Sequence, residues 1–238
     1  MLPEYTFTVG DQSYTLRLPI REQMKLEHKL GCGIEQLLVR ARLLQYGTTE
    51  MVTFLSAGLR GGWKKGAKDD EINAILERAA GGPVTMAWLI DGAHYPLTLS
   101  LHAQIDLERA LGYGIEQLAL RVETGNYGTN EMKTVLLAGL REGWRKSATE
   151  DDICYFMDFS GRHAFRATFR QLVGKVIDHN RTLRTAFSAF LLAVIDAQIE
   201  AAVGDDIEAP SAQTNHSDEG AQSAHPLLSA TQGDGGSA

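Results

Sequence analysis

Residues 30–37 read LGCGIEQL and residues 111–118 read LGYGIEQL, the same segment 81 positions later. That one offset, without a gap, also lays YGTNEM (127–132) on YGTTEM (46–51) and AGLREGW (138–144) on AGLRGGW (57–63). About half of the positions between 14 and 72 recur identically, far above chance, so the chain carries a tandem duplication of a unit of about 80 residues.

Working outward, each copy opens on alternating strand-formers, YTFTVGDQSYTLRL (5–18) and MAWLIDGAHYPLTL (86–99), with Gly-Asp or Asp-Gly between two short runs. This is hairpin chemistry. REQMKLEHKLG (21–31) and HAQIDLERALG (102–112) then place apolar residues near helical spacing and stop on glycine. GIEQLLVRARL and GIEQLALRVET continue helically, and Thr48 or Thr129 is expected to cap a third helix that ends at Gly62 or Gly143. A fourth helix starts at Asp69 or Asp70 in the first copy. In the second, Thr149 with Asp152 three residues on reads as a capping box. Leu26, Leu30, Leu37, Leu55 and Leu59, with Leu107, Leu111, Leu118, Leu136 and Leu140, are the expected cores.

The repeat stops at Gly161. Phe165, Phe169, Leu172, Val173, Val176 and Ile177 continue at helical spacing, and the stripe resumes with Leu183, Phe187, Phe190, Leu191, Val194, Ile195 and Ile199. Asn180 interrupts it, which predicts a helical hairpin turning near 179–182, with one long helix as the alternative. The fold class is therefore α+β, mostly α. The expected division is a first unit over 1–80, a second over 81–160, a helical extension over 161–203, and a disordered acidic tail over 204–238 that has almost no core-formers.

A net charge of −7 disfavours a general nucleic-acid binder. The N-terminus has neither a basic start nor an apolar run, so no signal peptide is expected. TAFSAFLLAVIDAQI (185–199) is read as too short, and too interrupted by Asp196, for a membrane span. Cys32 and Cys154 fall at non-equivalent places in the repeat and form no redox or zinc pattern, so a cytoplasmic setting is expected.

The pairs GCG and GYG follow helices rather than strands and lack a P-loop lysine, so they read as helix–helix turns. No histidine recurs between copies, which leaves no common metal-ligand set, and no nucleophile recurs with a base. Glu27/Glu108, Glu35/Glu116 and Thr48/Thr129 do recur, with surface or cap readings. Neither a cofactor nor catalysis is expected. The run Arg162, Arg166, Arg170, Lys175, Arg181 and Arg184 contains one acid, Asp178. It reads either as a solvated face or as a docking face for an acidic partner. The expected partner-binding residues are Arg162, Arg166 and Arg170 with the aromatic stripe Phe165, Phe169, Phe187 and Phe190. That stripe must pack on a repeat, on its own second half, or on another chain.

The order of these features resembles the tail assembly chaperone family of tailed phages and gene transfer agents, a branch of which is also labelled phage tail tube protein. The residues carrying the resemblance are Tyr14, Leu16, Leu18, Glu27, Gly31, Ala57, Gly58, Leu59 and Gly62. Their second-copy counterparts are Tyr95, Leu97, Leu99, Glu108, Gly112, Ala138, Gly139, Leu140 and Gly143. Family members are usually a single unit, so the duplication and the helical extension depart from the pattern. The resemblance implies a non-enzymatic role: binding the tape-measure protein and presenting it to the tail-tube protein while the tube polymerises. A structural tail component that stays in the virion is the alternative, and oligomerisation is left open.

Overall fold

The computed structural model describes residues 4–64 and 66–205, so the tail expected to be disordered lies, from residue 206 on, outside the described residues. In the first hairpin β1 (Glu4–Val9) pairs antiparallel with β2 (Gln12–Arg17). In the second β3 (Val84–Ile90) pairs with β4 (Ala93–Leu99). Asp91 and Gly92 both take positive φ, the backbone that a two-residue hairpin turn demands. Helices α1 (Ile20–Leu30), α2 (Ile34–Arg42), α3 (Thr48–Gly62) and α4 (Asp69–Ala79) follow the first hairpin. After the second come α5 (Leu101–Leu111), α6 (Ile115–Glu123), α7 (Thr129–Gly143) and α8 (Glu150–His179). The chain is thus α+β and mostly helical, built of two tandem units.

The two units reproduce each other in detail. Tyr14 meets Trp63 edge-on at 5.5 Å, and Tyr95 meets Trp144 edge-on at 5.2 Å. Arg40 pairs with Glu50 as Arg121 does with Glu131, and Lys64 with Glu71 as Arg145 does with Asp152. The glycine that ends each of these third helices has a packing reason. A Cβ at Gly62 would lie 2.4 Å from the Thr15 carbonyl oxygen, and one at Gly143 would lie 2.5 Å from that of Pro96, so each glycine lets its helix rest directly on a strand backbone. Eight of the ten expected core leucines are buried. Leu30 and Leu111, in the last turns of α1 and α5, are half-buried.

Thr48 and Thr129 are not the caps expected of them. They are the first helical residues, and the cap positions belong to Gly47 and Gly128, whose N–H groups donate to Glu50 and Glu131. The capping box at Thr149 and Asp152 is present, with both reciprocal hydrogen bonds.

Beyond the repeat, α8 leaves helical geometry at Gly161 (φ 74°, ψ 154°), so 150–160 and 162–179 are two helices joined at a kink. The chain then bends at Asn180 (φ −74°, ψ 3°) into α9 (Arg181–Asp205), and helical hydrogen bonds run up to and away from that residue, so the expected hairpin is instead a bend between two helices that do not fold back on each other. The two arms part company because each is held by a different unit. Phe165, Phe169, Leu172, Val173 and Val176 are buried in the second unit's core, whereas Leu183, Phe187, Phe190, Leu191 and Val194 are buried in the first unit's core. α9 packs on β1, α2, α3 and α4, while α8 packs on β3, α6 and α7.

These placements follow a second internal repeat. FRATFRQLVGKVID (165–178) recurs 18 residues later as LRTAFSAFLLAVID (183–196), sharing Arg166/Arg184, Phe169/Phe187, Val176/Val194, Ile177/Ile195 and Asp178/Asp196. Phe169 lies against Tyr127 at 5.1 Å and Phe187 stacks on Tyr46 at 5.0 Å, where Tyr46 and Tyr127 are themselves an 81-residue pair. Each unit therefore receives one equivalent C-terminal helix, and the helix added last completes the unit made first. By length and composition alone the longer stretch Arg181–Ala202 of α9 is apolar enough to cross a membrane, a test that the core helix of a folded protein also passes. Its apolar stripe is instead spent on the first unit's core.

Candidate partner-binding surfaces

One member of each recurring pair, Glu108, Glu116 and Thr48, sits where the units join. Glu108 on α5 is 6% exposed, and its carboxylate accepts from the backbone N–H groups of Thr48 (2.6 Å) and Thr49 (2.9 Å), the Thr49 hydroxyl (2.7 Å) and the Ile115 N–H (3.0 Å). One side chain thereby caps the start of α3 in the first unit and of α6 in the second, where the orphan donors and the helix dipole both favour a carboxylate. Gly47 has no Cβ because one would fall 2.5 Å from that carboxylate. Among the described residues its counterpart Glu27 accepts only from the Ile34 N–H at 3.4 Å and the Gln23 amide at 3.0 Å.

Beside Glu108 a polar knot ties three segments together. Asn180, 1% exposed, donates to Gln104 at 2.7 Å, and Gln104 donates to the Leu99 carbonyl at 3.4 Å. Leu101 N–H donates to Glu77 at 2.9 Å, and Arg184 on α9 reaches Glu116 on α6 at 3.0 Å. Burial raises the Glu116 pKa above the usual carboxylate range, with Arg184 opposing that shift. Tyr46 is pushed up to about 12, chiefly by burial and then by the Glu116 charge.

We expect Glu108→Ala to lower stability by about 1–2 kcal/mol for each of the two helix starts it caps. Glu27→Ala, which removes one long hydrogen bond from a helix start and one from the partly exposed Gln23 side chain, should cost about 1 kcal/mol or less. Denaturant unfolding of the two variants measures the contrast, and equal losses would mean that the repeat alone sets the role of this glutamate.

The sequence-predicted partner residues separate into two groups. Phe165, Phe169, Phe187 and Phe190 are at most 1% exposed inside the two cores, so they are corrected from docking residues to structural ones. Arg162, Arg166 and Arg170 stand on the exposed side of α8, where Arg170 donates to the Tyr127 hydroxyl at 2.8 Å. Arg184 belongs to the unit junction rather than to that face. The sequence reading missed a recurring exposed apolar position, Val39 on α2 and Leu120 on α6, at 55% and 49% exposure. The 81-residue alignment pairs them, and that pairing was the available signal. It also missed a groove of about 710 Å³ between α5 and α7, lined by His102, Asp106, Lys133, Leu137 and Arg141 among others. Among the described residues no group of three or more His, Cys, Asp or Glu could hold a metal ion.

The model of a family described as phage tail tube protein, GTA-gp10, matches residues 3–87 and, a second time, residues 84–155. The chain belongs to that family. No curated protein and no solved structure matches it. The GTA-gp10 membership places its role with a phage or gene-transfer-agent tail and its partners among other tail proteins, in the host cell during assembly or in the virion. The helix after Gly161 and all of α9 fall outside both GTA-gp10 matches, although each unit's core includes one of them.

Proposed function

We propose that the chain is a non-enzymatic tail assembly chaperone that binds the tape-measure protein and assists polymerisation of the tail-tube protein. The observation that carries this reading is the modular surface. Two equivalent helical units present the same exposed apolar position, Val39 and Leu120, while the only sheets among the described residues are two-stranded hairpins. An amphipathic helical client is recognised by apolar anchors repeated along a surface, and tandem linkage raises the effective concentration of the second unit once the first is bound. Arg162 and Arg170 supply charged contacts for acidic residues of that client. No catalytic step is assigned to any residue.

The family's description as a tail tube protein favours a second reading, a structural component of the tail. Co-purification with the tape-measure protein of the same element, together with mass spectrometry of finished particles, separates the two. The chaperone reading expects the client to be retained by the wild-type chain, lost from a Val39→Asp/Leu120→Asp variant of unchanged helicity, and the chain itself to be absent from particles. Stoichiometric presence in particles without client capture would establish the structural reading.

A further inference from the structure

We propose that a second copy of this chain docks the free face of its α1 onto the α7–α8 face of the first, repeating between chains the joint that α5 makes within one. The joint inside the chain is heterologous: α5 of the second unit packs on α3 of the first, and no comparable packing joins α1 to α7. A heterologous contact between two equivalent units leaves one half of the joint unused on each. Both unused halves are on the surface.

On the first unit the unused half is the α1 face. Leu101, Gln104, Ile105 and Glu108 of α5 are placed by the 81-residue offset on Ile20, Gln23, Met24 and Glu27. Leu101 is 5% exposed because it lies in the first unit's core, whereas Ile20 is 73% and Met24 67% exposed. The start of α1 also lacks what the start of α5 receives. Glu77 accepts from the Leu101 N–H, but α1 begins after Pro19 with no side-chain cap. Around the turn that follows, a Cβ at Gly114 would strike Tyr46 and Gly47, whereas one at Gly33 would meet nothing within 4 Å.

On the second unit the unused half is the surface equivalent to the one α5 covers. Gly47 and Thr48 are buried, and their counterparts Gly128 and Thr129 are exposed. Glu77 has its counterpart in Asp158. Flanking Asp158, Tyr155 and Phe159 are 58% and 53% exposed with rings 5.4 Å apart, a bare apolar pair. Docking α1 there covers Ile20 and Met24, brings Asp158 to the uncapped start of α1, and brings Glu27 to the start of α7, while Tyr155 and Phe159, whose counterparts Ala74 and Arg78 stay exposed beside α5, lie at the rim of the joint.

The charges agree independently. Within the chain Arg184 of α9 bridges to Glu116 of α6 across the joint. The 18-residue offset makes Arg166 the counterpart of Arg184, and the 81-residue offset makes Glu35 the counterpart of Glu116. Arg166 and Glu35 are both exposed, and neither has a hydrogen-bond or ion-pair partner among the described residues. A second copy placed by the same joint sets its Glu35 against Arg166.

Sedimentation of the full chain over a range of concentrations tests this. The wild type gains mass beyond one chain as concentration rises. Met24→Asp and Thr129→Arg, both at exposed positions and expected to keep wild-type circular dichroism, each remain single, yet their equimolar mixture forms a two-chain species and stops there. Arg166→Glu and Glu35→Arg each weaken association at least about tenfold, and mixing the two restores it. A wild type that stays a single chain throughout, variants that associate as the wild type does, or mixtures that do not recover would each overturn the proposal.

Discussion

Phe187→Ala should lower the melting temperature by about 6–20 °C, from a loss of about 3–5 kcal/mol for a buried aromatic truncated to alanine and about 2–4 °C per kcal/mol in a chain of this size. Phe187 is fully buried, stacked on Tyr46 at 5.0 Å and edge-on to Phe54 at 5.5 Å. The first unit therefore bears the loss, although the substitution lies near the other end of the sequence. Phe169→Ala, its counterpart by the 18-residue offset, should cost a similar amount in the second unit, where Phe169 lies on Tyr127. Thermal melts of the two variants, with hydrogen exchange to locate the weakened unit, check both the size and the crossed placement.

Arg184→Ala carries the second large effect, and its size depends on pH. Glu116 is 9% exposed at its side chain, and losing the guanidinium leaves a buried carboxylate without a counter-charge, a change that costs about 3–5 kcal/mol while the acid is ionised. Burial already raises the Glu116 pKa, and the nearby Glu108 charge raises it further. Without Arg184 it rises more. Above that raised value the ionised form carries the whole penalty. As the pH falls through it, the folded state takes up a proton and the penalty disappears, well before the ordinary glutamate value of about 4.3. The drop in melting temperature relative to wild type should thus be larger at pH 8 than at pH 5. Tyr46, at about 12, does not titrate in this window. A drop of equal size at both pH values would assign the effect to lost packing.

Much of the fold was legible because its signals are local. Gly-Asp and Asp-Gly between alternating residues gave the hairpins, the glycines after Leu30 and Leu111 ended helices in left-handed geometry, and Thr149 with Asp152 marked a helix start. What failed was long-range. Thr48 and Thr129 have the residue type of a cap, but the cap positions fall on Gly47 and Gly128, and the Thr48 N–H turns to Glu108, about sixty residues downstream, of which composition near Thr48 carries no trace. The aromatic stripe was correctly read as needing cover. Periodicity says only that a helix has an apolar face, not which surface meets it. The 18-residue self-match would have assigned one arm to each unit, since a face shaped like that of Phe169 at Tyr127 fits the equivalent Tyr46. Of the surface residues, the arginines were legible as exposed. The unused halves of the joint were not, because Ile20, Met24, Tyr155 and Phe159 look like core residues until the rest of the fold leaves them outside.

The central structural claim is that the last helix of the chain completes the first unit. Hydrogen exchange on the full chain and on a chain ending after Asn180 tests it most directly. The account predicts that removing α9 strips protection from α2, α3 and β1 while α6, α7 and the 162–179 helix keep theirs. Unchanged protection across Thr48–Gly62 in the shortened chain would contradict it.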